Sequence, residues 1–149
     1  MATSGSGSSI EATLFAVEMA AAINATLRIL HVIPPIEYRV GRLAPMLALE
    51  RKLDDPFENC VLRRARELAW RHGVAASLQL LAGDPPQAIV AGAARAAGDV
   101  LVIGAANPDR ASWHKARRRE WIHAHAPCQV LTPSAATRRR RLARHRKLG

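Results

Sequence analysis

Aromatic residues are scarce, with three Trp, two Phe and one Tyr among 149 positions, so aliphatic side chains and alanine must build any core. The two cysteines, Cys60 and Cys128, stand far apart and without metal-ligand spacing. That argues against a disulfide scaffold or a zinc module, and both read as small buried hydrophobes. No apolar run approaches the ~20 residues of a membrane-spanning helix. The small, polar start, MATSGSGSS, lacks the charged-then-apolar layout of a secretory signal. A cytoplasmic protein with no membrane partner is the expectation. Acidic residues are also few, 12 against 22 basic ones, giving a net charge of +10. The excess is localised: residues 138–149 hold seven basic side chains and no acid, leaving 15 against 12, or +3, in the rest. The chain therefore divides into one domain over residues 1–135 and a basic, disordered tail over residues 136–149, long enough for a single core and too short for two.

What is present is an alternation of helical and extended patterns. Its clearest stretch runs from Leu81 to Thr132. Asp84 is placed to cap a helix, Pro85 suits a first turn that needs no amide donor, and Gln87 completes a capping box. Ile89, Val90, Ala93, Ala94 and Ala97 recur at helical spacing, and Gly98 supplies a left-handed stop. Asp99 to Gly104, DVLVIG, is the unbroken apolar run of a parallel strand covered on both faces, with a glycine at its carboxyl end, where ligands sit in open parallel sheets. Upstream, Ser8 and Glu11 form a second capping box ahead of an alanine-rich helix that Asn24 ends. Thr26–Ile33 is a strand closed by Pro34 and Pro35, and Met46–Leu53 is a short helix. A further helix opens at Pro56, buries Phe57, Val61, Ala65 and Leu68, and stops at Gly73 ahead of the strand Val74–Leu81. Arg63, Arg64, Arg66 and Arg71 crowd that helix and read as a solvated face rather than a binding patch. Such an order requires right-handed crossovers and an α/β fold: an open parallel sheet of about five strands with helices on both faces.

Taken together, Gly83-Asp84-Pro85, the strand ending at Gly104, and His125-Ala126-Pro127-Cys128 before the last strand resemble the second half of the universal stress protein family. The resemblance extends over about Ala2 to Thr132. It implies an adenine nucleotide alpha hydrolase-like architecture, dimerisation through the last strand (Cys128 to Leu131), and a nucleotide pocket in some members. The pocket positions fall on Ser4, Val32, Gly83, Gly104 and Asn107. The pattern is degenerate here. Nucleotide-binding members place an aspartate where Ser4 stands, a glycine where Asn107 stands, and a Gly-Ser or Gly-Thr pair near Ala116 to Arg118. Freed backbone amides cradle phosphate in such loops, and Pro108 has none to offer. ATP is therefore disfavoured as a cofactor. In the family an apolar strand also precedes the turn at residues 3–5, between the strands matched by Thr26–Ile33 and Asp99–Ile103. With Met1-Ala2-Thr3 in its place, the resemblance implies a chain truncated at its first strand, with at most a stub at residues 1–4.

These observations point to a stress-response or regulatory protein acting through protein contacts, with an unknown protein partner and no enzymatic activity, since no nucleophile, base and orienting group assemble from the motifs. The rival reading is a nucleic-acid-associated protein whose tail, Arg138, Arg139, Arg140, Arg141, Arg144, Arg146 and Lys147, binds phosphates weakly and without sequence preference. An ATP pyrophosphatase-like reading of Ser4 to Ser9 ranks below both, because the aspartate and a second adjacent glycine are absent. His123, His125 and Cys128 do not make a metal site, since residues two apart on a helix diverge. Trp113 and Trp121, interleaved with Lys115 and Arg117 to Arg119, read as the apolar face of a helix rather than as a base-stacking platform.

Overall fold

The computed structural model describes residues 1–4, 7–34, 56–105 and 113–133. Along these residues strands and helices alternate: β1 (Ala2–Thr3), α1 (Gly7–Ala22), β2 (Leu27–Ile33), α2 (Pro56–Arg71), β3 (Ala76–Ala82), α3 (Pro85–Ala96), β4 (Val100–Val102), α4 (Trp113–His125) and β5 (Gln129–Leu131). The expected helix at Met46–Leu53, the loop at Asn107 and Pro108, the side chains of Phe57, Trp113 and Lys115, and the tail beyond Pro133 lie outside the described residues.

Local punctuation sets most of the boundaries. After α1 the chain turns through Asn24 at φ 52°, and after α2 through Gly73 at φ 68°, the left-handed conformation these residue types tolerate best. Three details depart from expectation. Ser8 lies inside the first turn of α1 rather than ahead of it, because the helix already begins at Gly7. At the end of α3 it is Ala97, not Gly98, that adopts the left-handed conformation, at φ 47° and ψ 39°, with its amide donating to Ala94 O. Asp84 does occupy the N-cap position before Pro85, yet its side chain makes no capping hydrogen bond.

The pairings among the described residues are all parallel, as right-handed crossovers demand. β2 and β3 pair over seven residues, from Leu27 with Ala76 to Ile33 with Ala82. β1 adds only Ala2 opposite Leu30 and Thr3 opposite His31. The strand order is β1-β2-β3 in one sheet and β4-β5 in another, with no ladder between β1 and β4 among the described residues. The strands among the described residues thus form a three-stranded and a two-stranded sheet. Side chains span the break instead: Met1 shares a cluster with Val102, and Ala2 shares another with Leu101 and Ile103.

Helices cover both faces. Ala12, Ala16 and Val17 of α1 and Leu62, Ala65 and Ala69 of α2 pack with Ile29 and Val102 on one side. Ala93 of α3 and Ile122 of α4 pack with Leu30, Leu101 and Ile103 on the other. Gly92 lets α3 approach closely, since a Cβ there would lie 3.0 Å from the Cδ1 atoms of both Leu30 and Leu81. Cys60 and Cys128 are free thiols, half-buried rather than fully enclosed. Among the described residues no helix is long and apolar enough to cross a membrane.

Candidate functional site

Parallel strands carry their carboxyl ends to one edge of the sheet, so Ser4, Val32, Gly83 and Gly104 follow or close β1, β2, β3 and β4 respectively on that edge. Two of them converge on the first turn of α1. Ser4 donates its amide to Ser9 Oγ at 2.9 Å. A Cβ on Gly104 would stand 3.1 Å from both the carbonyl carbon and oxygen of Ser8 and 3.2 Å from the amide nitrogen of Ser9. Gly104 is thus fixed by the close approach of helix backbone. Gly83, at φ 135°, donates its amide to Ile33 O at 3.1 Å and ties the end of β3 to the end of β2. Val32 is half-buried beside them. Asn107 lies outside the described residues.

A buried polar cluster underlies this edge. Thr3, Ser9, Thr13 and His31 are each less than a tenth exposed. Thr3 Oγ1 and Ser9 Oγ share a hydrogen bond of 2.7 Å. Thr13 Oγ1 donates to Ser9 O at 2.8 Å, and His31 Nδ1–H donates to Thr3 O at 2.7 Å. Desolvating such groups is costly unless they find partners, and here they find one another. The sequence carried a faint signal for this cluster. His31 interrupts an alternating face of Leu27, Ile29 and Ile33, and Ser9 and Thr13 stand one turn apart on the buried side of α1.

Beside Thr3, an apolar cleft of about 160 Å³ opens between α1 and α2, with Ile10, Val61 and Leu68 in its lining together with Cys60 and Arg64. Thr3 and Thr13 also line it, but both hydroxyls are engaged within the protein. The other described histidines serve separate neighbours. His72 Nδ1–H donates to Leu68 O, His123 Nε2 meets Thr132 Oγ1, and His125 Nδ1–H donates to Trp121 O while stacking on the Trp121 ring at 4.1 Å. Among the described residues, no three His, Cys, Asp or Glu side chains gather as a metal would require.

At the opposite end of β1, the Met1 amino group donates to Arg28 O at 2.6 Å. Burial lowers its pKa from 8.0 to about 6, with the nearby Cys128 acting in the other direction.

An open parallel α/β sheet whose candidate site sits at the strand carboxyl ends defines a nucleotide-binding-like domain class. Within that class the model of the universal stress protein family matches residues 1–132, and the chain belongs to that family. A universal stress family protein from Burkholderia pseudomallei has a similar fold, at 23% identity, TM-score 0.70, and coverage of 90% of this chain and 92% of that one. A universal stress protein solved in complex with cAMP is similar at 24% identity and TM-score 0.66, covering 89% and 92%. One from Archaeoglobus fulgidus in complex with dAMP is similar at 20% identity and TM-score 0.60, covering 88% and 92%. Among curated proteins none matches.

Proposed function

We propose that this universal stress protein is a non-catalytic regulatory protein that acts through protein contacts and does not hold ATP in its strand-end site. One observation carries the reading: the polar groups at the tip of β1 are already engaged. Ser4 N and Thr3 Oγ1 both bond to Ser9, and Thr3 O accepts from His31. A nucleotide would have to break these bonds to recruit them, and leaving a buried partner unsatisfied costs about 1–3 kcal/mol per group. The departures at Ser4 and Asn107 point the same way. Partner contacts run through the last strand, β5, which pairs a second copy of the chain and makes the working unit a cytoplasmic homodimer. The 1–135 domain carries this role, and the tail beyond it is dispensable for folding.

Nucleotide binding is the competing reading, favoured by the retained Gly83 and Gly104 and by the neighbours solved with cAMP and dAMP. Titration calorimetry with ATP, AMP and cAMP separates the two. The proposal expects no stoichiometric heat at micromolar nucleotide, and saturable one-to-one binding there overturns it. Light scattering at increasing concentration tests the dimer, and a monomer throughout would remove that part.

A further inference from the structure

Tryptophan on a surface helix normally faces the core, and α2 already has a complete core face in Val61, Leu62, Ala65 and Ala69. Trp70 lies on the opposite side and is 77% exposed. At about 100° per residue, Arg63, Arg66 and Trp70 fall within a sector of about 60°, rising along the helix by about 4.5 and then 6 Å. Both arginines are exposed, and among the described residues neither makes an ion pair or a hydrogen bond. The one acid of that face, Glu67, pairs with Arg71 one turn on, which leaves Arg63 and Arg66 uncompensated. The exposed face therefore carries two guanidinium groups and one indole, none of which makes a hydrogen bond or ion pair among the described residues.

We propose that this outer face of α2 docks single-stranded nucleic acid, with Arg63 and Arg66 on successive phosphates and a base stacked on Trp70. Free positive charge at a spacing of one helical turn complements a phosphodiester chain, and an exposed indole offers a flat surface to an unpaired base. A lipid surface fits less well. A helix lying in a membrane interface presents a broad apolar face, whereas the apolar face of α2 is inside the core and Trp70 is its only large hydrophobe exposed among the described residues. A duplex would meet the arginines but offers no unstacked base to the indole. This inference is independent of whether the strand-end site holds a nucleotide.

Fluorescence anisotropy of labelled oligothymidine with the full chain tests it, with a duplex of equal length and vesicles containing phosphatidylserine measured alongside. Trp70→Ala is expected to weaken oligothymidine binding by between about 5- and 150-fold, the range of base–aromatic stacking, and to leave duplex binding unchanged. Trp70→Phe should recover most of the loss. The double variant Arg63→Gln with Arg66→Gln should reduce the slope of log affinity against log salt by about 1.4, which is about 0.7 for each phosphate no longer neutralised. Because all three side chains are exposed, the variants should melt with the wild type. Absence of oligothymidine binding, equal affinity of wild type and Trp70→Ala, or an unchanged salt slope in the arginine variant would each overturn the proposal. So would a Trp70 effect confined to the vesicles.

Discussion

The two sheets of this molecule use the same parallel pairing to different ends. β2 sits between β1 and β3, pairs with β3 over seven residues, and places Ile29, Leu30 and Ile33 at no more than 2% exposure. β4 and β5 share only three residue pairs, and β5 is exposed or half-buried throughout. The first sheet is held by its ladder and its core together. Among the described residues no backbone ladder ties the second to the first, and side chains link them, with Met1 and Ala2 on one hand and Val102, Leu101 and Ile103 on the other. Stability in proteins is distributed unevenly in this way, and the part with fewer backbone ties opens first.

The sharpest way to break the comparison is to cut into each sheet. Ile29→Ala should cost about 2–5 kcal/mol, as expected for a fully buried aliphatic truncation. Val130→Ala in half-buried β5 should cost less than about 2 kcal/mol. Urea unfolding of both variants checks this, and equal losses would show that the two sheets share one core in energetic terms.

The seam between the sheets has its own signature in pH. The Met1 amine has a pKa of 8.0 when unfolded and about 6 in the fold, so between those values the unfolded chain binds more protons. Stability is therefore fully present above pH 8 and is lost as pH falls through about 6, the total loss being about 2–3 kcal/mol. Urea midpoints on either side of this window measure it. Acetylating the amine should abolish the dependence, and a flat profile in the unmodified chain would mean that the amine is hydrated.

Gly104→Ala would drive a methyl group into the Ser8 and Ser9 backbone and should cost about 1–3 kcal/mol. Wild-type stability in this variant would show that α1 can move away from β4. The smallest effect is expected at Ala97. Its left-handed conformation disfavours a Cβ, so Ala97→Gly should stabilise the protein by up to about 1 kcal/mol, read as a higher melting temperature.

Elements whose limits are set by neighbours in sequence were legible from the residues. Asn24 and Gly73 end their helices because the left-handed turn is a property of one residue, and Pro85 marks the start of α3 because proline fits a first turn wherever it occurs. The alternating order of helices and strands and the coverage of both sheet faces follow from patterns of the same local kind. Two features depended on groups distant in sequence. Residues 3, 9 and 31 form one buried polar cluster only because β1 lies beside β2 with α1 packed over both. Gly104 is needed because the first turn of α1, some 95 residues earlier, presses on it. The left-handed turn at Ala97 in place of Gly98 runs against local preference, and it precedes β4, whose Val100 lies opposite Gln129. Local conformational preference is fixed by a few adjacent side chains, whereas partners for buried polar groups and room for a Cβ exist only once remote segments have packed.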